Sequence, residues 1–221
     1  MTRVRTAVLI SGRGSNLMAL LAASAATAYP AEIVLVVSNV ESAAGLNHAR
    51  TSGIATHVLP HEKFARREDF DAALNAVLEQ ANIQLICLAG FMRILSDGFV
   101  EKWKGRLINI HPSLLPSFKG IRVHERAIES GVRISGCTVH YVTPEMDSGP
   151  PIAQAAVPVH YGDTADTLAE RVLAAEHRLY PAALKLVAEG RVQLEAGSAV
   201  FADYSSSGDV LINPPDGPTT P

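Results

Sequence analysis

The chain has 221 residues, a formal net charge of −3 at neutral pH and a hydrophobic fraction of 48%. This length and composition indicate one or two globular domains with ample core material. The charge supplies no broad cationic surface for nucleic acid, and no apolar run approaches the length of a membrane span or signal peptide. Cys87 and Cys137 have no metal-ligand spacing. We therefore expect a soluble cytoplasmic protein without a metal site, bound neither to nucleic acid nor to membrane.

The first half of the chain alternates short apolar runs with helical patterns. The apolar runs, at residues 8–10, 33–37, 85–88 and 107–110, are typical of strands buried on both faces of a parallel sheet. The spacing of Phe70, Leu74, Val77 and Leu78 predicts a helix with one buried stripe, and residues 16–26 also read as a helix. This alternation predicts a doubly wound, mostly parallel α/β sheet with helices on both faces. Ligands of such sheets bind beyond the carboxyl ends of the strands.

The pattern changes after residue 112. Two strands are predicted at residues 134–142 and 152–159, joined by a proline-rich turn rather than by a helix. A long helix is predicted from about residue 163 to 189, with Asp163 or Thr164 as its N-cap and a kink or break at Pro181. The segment beyond Gly197 is rich in Ser and Pro and lacks periodicity. We expect a partly disordered tail there.

A glycine-containing turn, Ser11 to Asn16, follows the first strand and opens the first helix. Its glycines allow close backbone approach, and the free N–H groups and dipole of the helix attract a phosphate. Ser15 and Asn16 add side-chain donors. A dinucleotide site is not indicated, because the third glycine of that fingerprint is missing. The alternative is a simple tight turn capped by Ser15, but two glycines followed by two polar donors favour phosphate binding.

Asn109 and His111 stand at the end of the fourth apolar run, immediately before Pro112. Side chains two residues apart on a strand project from the same side. A carboxamide can donate to a developing oxyanion, and an imidazole can move a proton near neutral pH. The pair therefore suits acyl transfer, provided that a third group orients the imidazole. From spacing alone, a structural histidine beside a strand-end asparagine is slightly favoured over the catalytic pair.

Asp147 lies in the proline-rich turn, where an aspartate commonly closes an Asx-turn. If it instead folds back onto His111, its charge would favour the protonated imidazole and make it a proton donor near neutral pH. Other candidates also have ordinary structural explanations. Residues 92–95 could be core or could wall an apolar slot, and Arg67 could be solvated or could bind an acidic ligand tail. The default role of Glu176 is structural, whereas a structural and a functional role for His140 are equally compatible with the sequence.

Taken together, four runs resemble the phosphoribosylglycinamide formyltransferases, a folate-dependent family of purine synthesis. The runs are residues 8–16, 88–96, 109–116 and 147–150, and the similarity extends over residues 4–195. The Asn109, His111 and Asp147 set is shared with other formyltransferases and with a formyl-folate hydrolase. The Gly-Ser-Asn sequence after the first strand is more particular to the enzyme that acts on glycinamide ribonucleotide.

The resemblance implies transfer of a formyl group from 10-formyltetrahydrofolate to the amine of 5'-phosphoribosylglycinamide, by a monomer or homodimer without a metal. It implies one formyltransferase domain over residues 1–196, with a phosphate-binding half at 1–105, a catalytic and folate half at 106–196, and a tail at 197–221. The catalytic residues would be Asn109, His111 and Asp147. The ribonucleotide-binding residues would be Gly14, Ser15, Asn16, Gly120 and Glu176. The folate-binding residues would be Arg67, Met92, Arg93, Ile94, Leu95, Asn109, Thr143, Pro144, Glu145, Met146 and Asp147.

Three features depart from the family pattern, and two alternative functions remain. One feature is a loop whose residues Ser117, Phe118, Lys119 and Arg122 differ from the commonest family sequences. Leu173 stands where the family often has a polar contact to the nucleotide, and Ser148 replaces a frequent glycine. A hydrolase of formyltetrahydrofolate is disfavoured by the phosphate loop and by the lack of a regulatory segment before Val4. A non-catalytic nucleotide-binding module would leave the Asn109, His111 and Asp147 set unexplained. The sequence also leaves open whether the Leu115–Pro116 bond is cis.

Overall fold

A computed structural model describes residues 2–202 of the chain. Strands and helices alternate along most of this range. The strands are β1 (Val4–Ile10), β2 (Ala31–Ser38), β3 (Ala55–Val58), β4 (Leu85–Leu88), β5 (Leu107–His111), β6 (Ile134–Tyr141), β7 (Pro151–Pro158), β8 (Val192–Glu195) and β9 (Ser198–Phe201). The helices are α1 (Ser15–Ser24), α2 (Gly45–Thr51), α3 (Arg67–Gln80), α4 (Asp97–Lys102), α5 (Val123–Glu129) and α6 (Ala165–Ala188).

The first seven strands form one twisted sheet in the order β3-β2-β1-β4-β5-β6-β7. Strands β1 to β5 pair in parallel, whereas β6 and β7 are antiparallel to their neighbours. The predicted doubly wound, mostly parallel sheet is therefore confirmed. The chain builds outward from β1 in both directions, so the carboxyl ends of β1 and β4 flank the switch point where such sheets bind ligands.

Helices cover both faces of the sheet. On one face Leu17 and Leu20 of α1 and Tyr180 and Leu184 of α6 are fully buried against the strands. On the other face α3 and α4 pack together, with Phe70, Leu74 and Leu78 of α3 fully buried. This confirms the predicted apolar stripe. Within residues 2–202, no helix is both long and apolar enough to cross a membrane.

Helix α6 begins where the sequence predicts but does not break at Pro181. Thr164 is its N-cap: its hydroxyl accepts from Thr167 N, and the Thr167 hydroxyl accepts from Thr164 N in return. The helix runs without interruption from Ala165 to Ala188. Tyr180, Ala183 and Leu184 are fully buried around the proline. Core packing on both sides of Pro181 therefore holds the helix together, so a break at this residue is wrong, whereas a kink there stays a prediction.

The carboxyl-terminal boundary lies further along the chain than the sequence predicts. Strand β9 pairs with β8 through a two-residue turn in which Ala196 and Gly197 have φ angles of 47° and 82°. The predicted tail therefore starts too early, since residues 198–201 form a paired strand. The rest of that tail, residues 203–221, lies outside the described residues.

The Leu115–Pro116 peptide bond, whose conformation the sequence left open, is cis.

Candidate active site

The turn between β1 and α1 is built around Gly14. This glycine has φ 77° and is the N-cap of the helix. A Cβ atom there would lie 2.7 Å from Gly45 Cα, so both the conformation and the space require glycine. No side chain caps α1, and no acidic residue lies in its first turn. Ser15 is the first helical residue and not a cap, so the capped-turn alternative is wrong and phosphate binding stays a prediction.

Asn16 and Glu176 form a buried pair that joins α1 to α6. Asn16 Nδ2 donates to Glu176 Oε2 at 2.7 Å. Burial raises the pKa of the Glu176 carboxyl, and the hydrogen bond from Asn16 opposes that shift. Asn16 Oδ1 is buried and has no hydrogen-bond partner among residues 2–202. The pair therefore presents an unused acceptor beside the glycine turn.

Ser11 connects the glycine turn to the segment that follows β4. Its hydroxyl accepts from Met92 N at 2.7 Å and donates to Asn39 Oδ1 at 2.5 Å. Ser11 N also donates to Gly90 O at 3.1 Å. The two predicted ligand segments are therefore one hydrogen-bonded unit at the switch point. Sequence reasoning missed this link because it requires the pairing of β1 with β4.

A cavity of about 740 Å³ opens beside this unit. Met92 and Ile94 project apolar side chains that are 77% and 59% exposed, whereas Leu95 is buried. All three residues line the cavity. The exposure of Met92 and Ile94 fits the wall of an apolar slot, whereas the burial of Leu95 fits a core residue. The cavity brings together eleven of the predicted site residues: Met92, Arg93, Ile94, Leu95, Asn109, His111, Gly120, Thr143, Pro144, Met146 and Asp147.

The segment after β4 is anchored on the start of α3. The Arg93 guanidinium lies over the Phe70 ring at 4.4 Å from its centroid, and Ser96 N donates to Asp71 Oδ2 at 2.7 Å. Arg67, the first residue of α3, is exposed and is not part of the cavity wall. Its neighbour Arg66 is paired with Asp69 at 2.8 Å, but Arg67 has no ion pair among residues 2–202. Arg67 thus keeps a guanidinium available next to the anchored segment.

His111 lies between two acceptor oxygens. Its Nδ1 is 3.4 Å from Asp147 Oδ2, and its Nε2 is 3.0 Å from the Phe118 carbonyl oxygen. The imidazole is 5% exposed. Each ring nitrogen can therefore donate to its neighbour when the ring is protonated. The predicted contact between Asp147 and His111 is present in the structure, although the catalytic roles of the two residues remain predictions.

Asp147 reaches across the site rather than serving only its own turn. It has φ 51°, an uncommon value for a residue with a Cβ, and its Oδ2 accepts from Gly120 N at 2.8 Å. Gly120 is therefore joined to the Asp147 carboxylate, and its assignment to the ribonucleotide stays a prediction. Gly149 allows the loop to lie close to the sheet, since a Cβ there would be 1.6 Å from Tyr141 O.

Polar contacts hold the rest of this loop. The Thr143 hydroxyl donates to Glu145 O at 3.1 Å, and the Ser148 hydroxyl donates to Met146 O at 3.1 Å. Lys119 Nζ bonds both the Ser148 hydroxyl and Glu145 Oε1. Ser148 thus stabilises the loop in place of the glycine that is frequent in the family. Glu145 is exposed and lies outside the cavity wall.

His140 pairs with Asn109 across the β5–β6 ladder. Its Nε2 is 3.2 Å from Asn109 Nδ2, and its Nδ1 is 2.9 Å from the Tyr141 carbonyl oxygen. Burial lowers the pKa of the His140 ring, although its bond to the Tyr141 carbonyl and the charge of Asp147 act in the opposite direction. The sequence left the role of His140 open. Only the antiparallel register of β5 with β6 reveals its partner.

Comparison with known proteins agrees with this geometry. Residues 4–184 match the family model described as formyl transferase, and the chain belongs to that family. It is 44% identical to the phosphoribosylglycinamide formyltransferase of Escherichia coli over 192 residues, which are 87% of this chain and 91% of that protein. It also resembles the solved structure of glycinamide ribonucleotide transformylase 1 from Symbiobacterium toebii, with a TM-score of 0.88 and 43% identity. That match covers 91% of this chain and 95% of the other.

Longer relatives also contain a region similar to this chain. The trifunctional purine biosynthetic protein adenosine-3 of Gallus gallus is 56% identical over 196 residues, which are 88% of this chain. The chain spans about a fifth of the length of that relative, where the match covers 20%. Similarity to these proteins therefore concerns one part of each of them.

Proposed function

We propose that this protein transfers the formyl group of 10-formyltetrahydrofolate to the amine of 5'-phosphoribosylglycinamide, in the cytoplasm. One observation carries the proposal. Asn109, His111 and Asp147 meet on the wall of a cavity whose other wall is tied by Ser11 to the glycine turn. Acyl transfer needs both reactants next to an oxyanion donor and a proton carrier. The resemblance to phosphoribosylglycinamide formyltransferases supports the same reaction.

The ribonucleotide would bind at the start of α1. Its phosphate would accept from the uncapped N–H groups that follow Gly14, aided by the Ser15 hydroxyl. Asn16 Oδ1 and the Glu176 carboxyl are acceptors, and they would receive the hydroxyl or amine hydrogens of the substrate. Leu173 is half-buried on α6 and offers no polar group, so the proposal gives it no part in binding.

The folate would occupy the cavity beside the segment 92–95. A flat pterin ring suits a cavity of about 740 Å³ with apolar side chains such as Met92, Ile94 and Met146 at its mouth. The backbone of residues 92–95 and 143–147 would supply the polar contacts that orient the ring. Arg67 would bind a carboxylate of the glutamate tail, because its guanidinium is exposed next to this segment.

The chemistry would proceed by attack of the glycinamide amine on the formyl carbon. A new bond forms between that nitrogen and the carbon, and Asn109 Nδ2 donates to the oxygen as it becomes negative. His111 would donate to the same oxygen from Nε2, which must first release the Phe118 carbonyl. Asp147 orients the His111 ring through the contact between Oδ2 and Nδ1. The bond from carbon to folate N10 then breaks, and the proton lost by the amine ends on N10. The proposal needs no metal ion, because Asn109 and His111 supply the donors.

An assay of the purified protein with both substrates tests the proposal. We expect tetrahydrofolate and formylated ribonucleotide to appear in equal amounts, and only when 5'-phosphoribosylglycinamide is present. Release of formate and tetrahydrofolate without the ribonucleotide would instead identify a hydrolase. Binding of the ribonucleotide with no folate-dependent product would identify a binding module and contradict the proposal.

A further inference from the structure

The side-chain amide of Asn109 can aid an oxyanion in only one of its two orientations. Its nitrogen donates, whereas its oxygen can only accept and would repel a developing negative charge. A rotation of about 180° about the terminal torsion exchanges the two groups with almost no change in shape. Something on the protein must therefore select the productive orientation.

The structure provides that selection through a chain of three groups. The Tyr141 carbonyl oxygen, 2.9 Å from His140 Nδ1, can only accept, so Nδ1 carries the ring hydrogen. In a neutral imidazole the other nitrogen then has a free lone pair. That nitrogen, Nε2, is 3.2 Å from Asn109 Nδ2 and accepts one of its two hydrogens. The second hydrogen of Nδ2 remains for a ligand in the cavity, which both residues line.

The surroundings of His140 favour the neutral ring that this chain requires. The side chain is 2% exposed, and burial lowers its pKa. Two charged or titratable groups face it: Asp147, whose Oδ1 is 4.0 Å from Nε2, and His111. Asp147 favours a protonated His140 and His111 opposes it. Asp147 Oδ2 lies 3.4 Å from His111 Nδ1, so the carboxylate is closer to that ring than to His140.

We propose that His140 is a positioning residue that fixes the Asn109 amide with Nδ2 as the donor to the formyl oxygen. His140 would act through Asn109 and not on the substrate itself. A protonated His140 would donate to Asn109 Oδ1 instead, which would turn the amide into its unproductive orientation. This inference rests on the proposed formyl transfer, but the tautomer on which it depends can be measured without any assay of activity.

Two variants at this position separate positioning from mere filling of space. His140→Gln keeps an acceptor oxygen that can reach Asn109, whereas His140→Leu has similar bulk and no acceptor. We expect His140→Leu to lower kcat by about 10-fold or more. The loss should not exceed the decrease of about 10²–10³ in kcat that is expected when an oxyanion donor is removed altogether. The KM values should change less than about twofold, because substrate contacts persist. His140→Gln should recover most of the kcat, and His160→Leu, at an exposed histidine, is the matched control.

A double-mutant cycle tests whether His140 acts through Asn109. In an Asn109→Ala background, adding His140→Leu should change kcat by less than about twofold, because the donor that His140 orients is already gone. An equal loss in both backgrounds would overturn the inference. So would a His140→Leu kcat equal to the wild-type value, or a His140→Gln kcat as low as that of His140→Leu.

Nitrogen-15 NMR of the wild-type ring provides the measurement that is independent of folding defects and of activity. We expect a neutral His140 with its hydrogen on Nδ1 between pH 7 and 8, in line with its lowered pKa. A hydrogen on Nε2 would overturn the inference whatever the reaction. An inactive wild-type protein with the expected tautomer would instead contradict the proposed function and leave the orientation of Asn109 established.

Discussion

Two half-buried asparagines, Asn16 and Asn109, show how one residue type can present opposite groups at two places around the proposed site. Each amide nitrogen faces an ionisable side chain on another element, Glu176 in the first case and His140 in the second. Asn16 is left with an unpartnered oxygen, which accepts. Asn109 keeps a second N–H, which donates. Under the proposed function, Asn16 would accept from a hydroxyl or amine of the ribonucleotide, and Asn109 would donate to an oxyanion.

The two asparagines differ in the amide atom that is left for a ligand, and not in the way their partners hold them. A carboxylate oxygen and an unprotonated ring nitrogen both accept, so each partner turns the amide nitrogen toward itself. What remains for the ligand depends on which atom of the amide the surrounding backbone exposes. Buried polar pairs of this kind fix orientation, because an unsatisfied amide in the interior costs about 1–3 kcal/mol.

The largest effect is expected from Asn109→Ala. Removing the donor to the oxyanion should lower kcat by about 10²–10³ while the KM values of both substrates change little, since the contact forms only in the transition state. Steady-state kinetics measure this split. Asn47→Ala, at an exposed asparagine on α2, serves as the control. A loss confined to KM would assign Asn109 to substrate binding and remove the contrast with Asn16.

A different signature is expected from Asn16→Ala. Loss of a hydrogen-bonding group beside a charged partner costs about 1.5–3 kcal/mol, which corresponds to about a 10- to 150-fold rise in the KM for the ribonucleotide. The KM for 10-formyltetrahydrofolate and kcat should change by less than about threefold. Measurement of both KM values decides the matter, and an equal effect on both substrates would contradict the assignment of Asn16 to one of them.

A smaller effect is expected at the link between the two halves. Ser11→Ala removes the acceptor for Met92 N, and one neutral hydrogen bond contributes about 0.5–1.5 kcal/mol, or about a 2- to 12-fold change. We expect this change to appear as a rise in the KM for the folate. Ser11→Thr retains the hydroxyl and should restore affinity, and Ser52→Ala at an exposed serine is the control. An unchanged KM in Ser11→Ala would mean that the segment holds its shape without this bond.

The smallest effect concerns stability and pH. Burial raises the pKa of the Glu176 carboxyl, so the folded state binds more protons than the unfolded state as pH rises above the ordinary glutamate value of 4.5. Stability contributed by this group therefore falls with rising pH. Glu176→Gln keeps an acceptor for Asn16 and cannot ionise, so it should stabilise the protein more at pH 7 than at pH 5. Urea unfolding at both pH values measures this, and the reverse order would contradict it.

The sequence predicts the parts of the fold that depend on local pattern. Continuous apolar runs give the central strands, and the period of Phe70, Leu74 and Leu78 gives α3 and its buried stripe. The pairing of Asn109 with His111 on one side of a strand follows from the two-residue period. In the structure, both side chains line the same cavity.

The rest could not be predicted because it depends on contacts distant in sequence or on unusual turn residues. The approach of Asp147 to His111 and the register of His140 opposite Asn109 arise only when β6 turns back along β5. The β8–β9 hairpin was missed because its turn begins with Ala196, where Asn, Asp or Gly is usual. Pro181 was overestimated as a breaker because tertiary burial around it outweighs its local cost.

The start of α1 shows a trade of stability against ligand affinity. Ser, Thr, Asp or Asn at an N-cap stabilises a helix by about 0.5–2 kcal/mol relative to Ala, yet Gly14 brings no side chain and no acidic residue follows in the first turn. A carboxylate in the first turn of α1 would stabilise the helix and would compete with any anion for the same N–H groups. The protein thus keeps an incomplete helix end, and a bound phosphate would complete it. Because Gly14 itself cannot be replaced without strain, selection for thermal stability alone would favour an acidic residue in the first turn of α1, at the expense of affinity for an anion.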